Sequence, residues 1–206
     1  MKIALTGGIA CGKSTLAKFL EELGIRVLDA DDVVHELEAP GGGAVESIRR
    51  CFGGGVIASD GGINRPLLAE RVFADTRLRH DLEDILFPMV RRRLLDFVAL
   101  PSYEAGVTQL RIASIPLLFE SHWEDDYDII TAIASPEEVQ IDRMMRTRGY
   151  TRAQAEARLA AQIPAMEKAS RADFAVVNDS TPEHLREEAS CMVDWLKERA
   201  KHEYRR

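Results

Sequence analysis

Little in this sequence supports a disulfide framework, a membrane span or a preformed metal centre. Its 3 cysteines, Cys11, Cys51 and Cys191, are odd in number and far apart, so reduced thiols are expected rather than crosslinks or a zinc site. His35, His80, His122, His184 and His202 stand alone, none with a second histidine four residues on to complete a ligand pair. No apolar run approaches the ~20 residues that cross a bilayer, which excludes a spanning helix. The first strand begins within two residues of Met1 with no basic-then-apolar leader before it, so a cytoplasmic location is expected. Positive charge is in deficit, 27 Lys and Arg against 34 Asp and Glu for a net charge of -7, which argues against general nucleic-acid binding. An anionic ligand must therefore be met by a local basic cluster. Aromatics make up only 6% of the chain, and Trp123 and Trp195 read as packing residues. Repeats, disordered linkers and any sign of an obligate protein partner are also missing. What is left, at 206 residues, is one soluble α/β domain with insertions.

The feature that organises the chain is Gly7 to Thr15, Gly-Gly-Ile-Ala-Cys-Gly-Lys-Ser-Thr, which contains the full G-x-x-x-x-G-K-[ST] pattern. Lys2 to Thr6 before it is short and apolar enough for a buried strand, and Thr15 to Leu23 after it has helical apolar spacing. Strand, loop and helix is the context the pattern requires. Gly7, Gly8 and Gly12 let backbone N–H groups turn toward a polyphosphate at the positive end of the helix. Lys13 then reaches the β and γ phosphates, and the Ser14 hydroxyl serves a Mg²⁺ ion bridging them. Cys11 occupies a variable position of the pattern and reads as a small filler.

Taken in order, Gly24 stops the first helix, and Ile25 to Leu28 forms a second strand that delivers Asp29, Asp31 and Asp32. In an open parallel sheet, ligands bind beyond the carboxyl ends of the strands, so one of these carboxylates is expected to be functional. Asp29 or Asp31 is also a suitable cap for the helix that follows, over Asp32 to Leu37. From Ala39 to Ala99 the strand-helix alternation lapses. Glycine clusters at 41–43 and 53–55 flank a short helix, Val45 to Phe52; Asn64 precedes a helix opened by Arg65 and Pro66; and Asp75 begins another, which Pro88 is expected to kink or split. This stretch reads as a helical insertion suited to binding an acceptor.

Val107 to Ile115 is predicted as the third strand, and its end carries Ser114 where a motor protein or GTPase needs an acid. Asp128 to Ala134 is predicted as the fourth strand. Ser135 and Glu138 have capping-box spacing for the next helix, with Pro136 at its first position, and Thr151 with Gln154 repeats the pattern. Arg143, Arg146, Arg148, Arg152 and Arg158 concentrate positive charge on this helical hairpin, the local basic cluster that the acidic chain needs for an anion. A fifth strand, Phe174 to Val177, ends at Asn178, and a terminal amphipathic helix runs from about Thr181 to Lys201.

Several segments in this order resemble the dephospho-CoA kinase family from end to end: Leu5-Thr6-Gly7-Gly8-Ile9, Asp29-Ala30-Asp31, Pro40-Gly41, Val72-Phe73-Ala74-Asp75 and Pro116-Leu117-Leu118-Phe119-Glu120. Gln140 with Arg143, Ala157 to Gln162, Lys168, Ala172-Asp173 and Asn178 extend the match. The resemblance implies an α/β P-loop kinase core with a five-stranded parallel sheet (1–30, 100–138 and 168–206), a helical substrate domain (31–99) and a helical lid (139–167). It implies transfer of the ATP γ-phosphoryl group to the ribose 3′-hydroxyl of dephospho-CoA, the last step of coenzyme A synthesis. On this basis Gly8, Ala10, Cys11, Gly12, Lys13, Ser14, Thr15 and Asn178 are assigned to ATP, with Mg²⁺ on Ser14. Asp31, Arg65, Pro116, Leu117 and Glu120 are assigned to the acceptor, and Asp31, Lys13, Arg143 and Arg146 to catalysis. The chain departs from the family pattern at Phe87, where a histidine usually precedes the proline, at Ser114, where an acid is frequent, and at Thr147, where a second lid arginine is expected.

Two other functions compete. Another small-molecule kinase, of nucleoside monophosphate or shikimate type, would share the core. A nucleotide-dependent switch or assembly ATPase is disfavoured by Ser114, by the lack of an Asn-Lys-x-Asp signature and by the insertion.

Overall fold

The computed structural model describes residues 1–100, 103–104 and 107–203. The core ranges drawn from sequence also take in 101–102, 105–106 and 204–206, and these, with the His202 side chain, lie outside the described residues. The chain divides into two compact units, 1–28 with 97–206, and 29–96.

The first unit is built on a five-stranded sheet. Strand β1 (Ile3–Gly7) leads into helix α1 (Lys13–Glu22), and β2 (Arg26–Asp29) into α2 (Ala30–Glu38). After the helices of the second unit come a two-stranded antiparallel hairpin, β3 (Tyr103–Glu104) with β4 (Val107–Thr108), and then β5 (Arg111–Ser114) and β6 (Ile129–Ala134). The strand order is β2-β5-β1-β6, closed by β7 (Phe174–Val177), and the sheet is parallel throughout. All five residues of the central strand β1 are buried, as expected for a parallel strand covered on both faces. Its register sets Leu5 against Ser114 on one side and Gly7 against Ile133 on the other. A β carbon at Gly7 would lie 2.6 Å from the Ile133 carbonyl oxygen, so glycine is required where the strand turns into the loop. Ile3, Leu5, Ile112, Ile133 and Val176 form the core of this unit with Leu16 and Leu20 of α1. Met192 and Leu196, from the terminal helix at 182–203, complete it.

Between β6 and β7 lie three helices. The segment expected from sequence to form a lid folds as α6 (Glu137–Arg148) and α7 (Arg152–Ala160), followed by α8 (Ala165–Ser170). Ile141, Met144 and Ala155 make a small core of their own, against which Ile9 and Ala10 of the phosphate loop pack. The Thr151 and Gln154 capping box is present, with both reciprocal bonds made.

The second unit is helical. It contains α2 and α3 (Val45–Phe52), then α4 (Arg65–Ala74), capped by the Asn64 side chain, and most of α5 (Thr76–Ala99). Its core gathers Ala44, Ile48, Phe52, Val56, Ile63, Leu68 and Leu86.

Several expectations are corrected. Of the kink or split expected at Pro88, the split is absent, since helix α5 is continuous through it. A proline inside a helix costs about 3 kcal/mol, but Leu86, Val90 and Leu94 are buried around it, and each buried side chain of this size returns about 1.5–3 kcal/mol. The third core strand is shorter than the apolar run, because Val107 and Thr108 pair with β3 instead. Ser135 does not cap α6. The N-cap residue is Pro136, with no side-chain cap, while the buried Ser135 hydroxyl donates to the Asn178 carbonyl oxygen at 2.6 Å.

Candidate active site

The loop between β1 and α1 is shaped by two residues in left-handed conformation, Ala10 (φ 58°) and Gly12 (φ 92°). Gly12 is the N-cap of α1, no side chain caps the helix, and its first turn carries no acidic residue. Its first N–H donors are therefore left for an anion, which is the electrostatic content of a phosphate cradle. Gly8 is closely packed, since a β carbon there would meet the Ala165 β carbon at 2.6 Å, Gln140 Oε1 at 2.9 Å and Cys11 Sγ at 3.0 Å. Cys11 is fully buried, and that burial pushes its thiol pKa above the ordinary 9.0 against weaker opposing effects of contact with Ser135, the Gly8 backbone and the Arg143 charge. It is a packing residue, as its position in the pattern implied.

Lys13 Nζ donates to Ser114 Oγ at 2.5 Å. The position at which the family resemblance led an acid to be expected thus presents a neutral hydroxyl to the ammonium. Ser14 and Thr15 are exposed on the first turn of α1. No cluster of three or more His, Cys, Asp or Glu suited to a metal exists among the described residues. The exposed Ser14 hydroxyl therefore fits Mg²⁺ only in the manner of an ion carried on substrate phosphates and water, with one protein oxygen added.

A cavity of about 230 Å³ opens beside the loop. Ala10, Gly12 and Thr15 form one wall, Arg143 another, and Asn178, Ser180, Pro182 and Leu185 the rest. Arg143 Nη1 donates to Ser135 Oγ at 3.0 Å and to the Ala10 carbonyl at 3.3 Å. Asn178 Nδ2 donates to the Cys11 carbonyl at 2.9 Å, so the loop is gripped from two sides. The other lid arginines differ in their commitments. Arg146 pairs with Asp142 at 3.2 Å, and Arg152 pairs with Glu138 at 2.7 Å and with Glu156 at 3.4 Å. The Arg158 guanidinium lies over the Tyr150 ring at 4.6 Å. Thr147 donates its hydroxyl to the Arg143 carbonyl at 2.6 Å, an internal helix contact.

After β5, the Pro116 carbonyl accepts from Thr6 Oγ1 at 3.3 Å and from Lys168 Nζ at 2.8 Å. Glu120 Oε1 accepts from Lys168 Nζ at 2.7 Å and from the Ile163 amide at 3.0 Å. Leu117 is exposed in this segment, while Glu120 Oε2 is buried without a hydrogen-bond partner among the described residues.

Asp31 and Arg65 belong to the second unit. Asp29 is the N-cap of α2 and accepts from the Asp31 amide at 2.9 Å. The Asp31 carboxylate is exposed and makes no hydrogen bond or ion pair among the described residues. Arg65 Nε donates to Glu38 Oε2 at 2.8 Å, with Glu38 only 6% exposed. Sequence reasoning read Ser135, which bonds to Arg143 and Asn178, as a cap, and among the cavity's lining residues it missed Ser180, Pro182 and Leu185. Their signal was adjacency to Asn178, at the carboxyl end of a core strand and the start of a helix.

Residues 1–184 match the model of the family described as dephospho-CoA kinase. A dephospho-CoA kinase of Anaeromyxobacter dehalogenans is 42% identical over 191 residues, covering 93% of this chain and 90% of the relative. One from Bdellovibrio bacteriovorus is 37% identical over 196 residues, covering 95% and 96%. The solved structure of the dephospho-CoA kinase from Campylobacter jejuni superposes with a TM-score of 0.72 at 27% identity, covering 95% of this chain and 98% of that one. With a family match over most of its length and a phosphate loop of intact geometry, this chain belongs to the dephospho-CoA kinase family.

Proposed function

We propose that this protein transfers the γ-phosphoryl group of ATP to the ribose 3′-hydroxyl of dephospho-CoA, giving coenzyme A and ADP. The observation that carries the reading is the uncapped N-terminus of α1, with Gly12 and Lys13 at its head, in a chain of this family. The loop amides and Lys13 hold the β and γ phosphates, Asn178 holds the nucleotide end of the donor, and Arg143 reaches its phosphates from the cavity wall. Ser14 would hold a Mg²⁺ ion carried on those phosphates, and the ion would supply charge neutralisation. The acceptor 3′-oxygen forms a bond to the γ-phosphorus as the bond from that phosphorus to the β-γ bridging oxygen breaks and ADP leaves. The proton of the hydroxyl passes to the Asp31 carboxylate, which is exposed and uncommitted, as a general base must be. Arg143 and Arg146 meet the charge spread over the transferring group. Arg65, Pro116, Leu117 and Glu120 hold the rest of the acceptor.

The test offers ATP and Mg²⁺ with dephospho-CoA, adenosine, AMP and shikimate in separate reactions, products being resolved by mass. Formation of coenzyme A from dephospho-CoA alone is expected. A folded, ATP-binding protein that phosphorylates another acceptor in preference overturns the reading.

A further inference from the structure

Ser135 sits between β6 and α6, has none of its surface exposed, and does not line the cavity beside the phosphate loop. Its hydroxyl nevertheless touches two segments that do. It donates its one proton to the Asn178 carbonyl at 2.6 Å, which turns its lone pairs toward the Arg143 guanidinium 3.0 Å away. Its own carbonyl accepts from Gln140 Nε2 at 2.9 Å, one turn before Arg143 on the same helix. The hydroxyl has no duty in capping α6, so local secondary structure does not account for these bonds.

An arginine that walls an open cavity has many rotamers, and a guanidinium fixed before the ligand arrives loses less entropy on binding. The Ala10 carbonyl, at 3.3 Å from the same Nη1 nitrogen, is the longer of the two contacts. We propose that Ser135 is a positioning residue, which acts through Arg143 to preset the wall of the nucleotide cavity and so strengthens binding of the ATP donor rather than of the acceptor. This rests on the reading that the cavity takes the ATP donor, with Arg143 on its phosphates.

The experiment is a double-mutant cycle of Ser135→Ala and Arg143→Ala, reading KM for ATP, KM for dephospho-CoA and kcat, with the dissociation constant for ATP measured by calorimetry. Ser135→Ala is expected to weaken ATP by about 10-fold, to move KM for dephospho-CoA by less than about twofold, and to lower kcat by less than it raises KM for ATP. In the Arg143→Ala background the same change is expected to add less than about twofold. Ser135→Cys replaces the hydroxyl by a somewhat larger group that is a weaker donor and acceptor; it is expected to fall between Ser135 and Ala, and it carries the cycle should the alanine variant fail to fold. If Ser135→Ala leaves ATP binding unchanged while Arg143→Ala weakens it, or if Ser135→Ala costs as much with Arg143 absent as with it present, the proposal is overturned. If Arg143→Ala itself leaves ATP binding unchanged, the assignment of the cavity to the nucleotide fails with it.

Discussion

The Lys168 ammonium is completely buried and lies 2.7 Å from Glu120 Oε1, joining the segment that returns from the lid to the segment that follows β5. Its remaining partner is the Pro116 carbonyl, so the charge is neutralised by one carboxylate and one backbone dipole. Removing one member of a buried pair leaves the other charged and unpaired, which typically costs about 3–5 kcal/mol. Lys168→Met is therefore expected to lower unfolding stability by about that amount in urea melts. The double variant Glu120→Gln, Lys168→Met is expected to recover part of the loss, because no charge is then stranded. Additive single costs would show that the pair is not coupled.

The two carboxylates after β2 are expected to separate cleanly by function. Asp29 accepts a backbone bond at the head of α2, so losing that cap in Asp29→Ala should cost about 1 kcal/mol of stability or more. Asp31→Asn should lower kcat by about 10²- to 10⁴-fold with ATP affinity nearly unchanged. A larger kinetic loss from Asp29→Asn transfers the base assignment to Asp29.

The buried thiol in the loop makes a pH prediction. The folded Cys11 pKa lies above 9.0, so as pH rises past that value the unfolded chain releases its proton first and is favoured. The contribution of Cys11 to stability is complete below about pH 9 and is lost as pH climbs toward the folded value. Cys11→Ala should flatten that alkaline loss. The same burial orders chemical labelling. Exposed Cys191 should react first at pH 8 and Cys51, raised by desolvation and by Asp81, after it, with Cys11 last. Early labelling of Cys11 would show that the loop opens readily.

The sheet and its loop were legible because short apolar runs, glycine spacing and a helix period are local signals, and β7 over Phe174–Val177 and α3 over Val45–Phe52 fall where those signals lie. The third strand was drawn too long because periodicity reports burial, not which sheet a residue joins: Val107 and Thr108 belong to a separate hairpin. Ser135 was misread for a related reason. A serine followed by a proline and two acids has every local mark of a cap, but its hydroxyl is claimed by Asn178 and Arg143, 43 and 8 residues away along the chain. Pairings set by tertiary structure, Lys168 with Glu120 among them, leave no trace in spacing.

The lid supplies the last prediction, because Thr147 brings no charge and spends its hydroxyl on its own helix. The task of a second lid arginine then falls to Arg146 or Arg148. Helix α6 remains helical through Arg148 and ends at Gly149, which is left-handed at φ 67°, so helical geometry applies to both candidates. Arg146 stands at i+3 from Arg143 and shares its face, whereas Arg148 at i+5 is about 140° round. Arg146 is paired with Asp142, but both side chains are more than half exposed, and such a pair is worth about 0–1 kcal/mol. That is too little to keep the guanidinium from a triphosphate. Arg146→Ala is therefore expected to lower kcat by about 10-fold or more at saturating substrates, about 1.4 kcal/mol of barrier per tenfold, with an unchanged melting temperature. Asp142→Asn should leave kcat within about twofold, since it only releases a weak partner. Arg148→Ala should cost less than Arg146→Ala. The reverse order, with Arg146→Ala near wild type and Arg148→Ala strongly impaired, would mean that the last turn of α6 unwinds when ATP is bound, and the role would pass to Arg148.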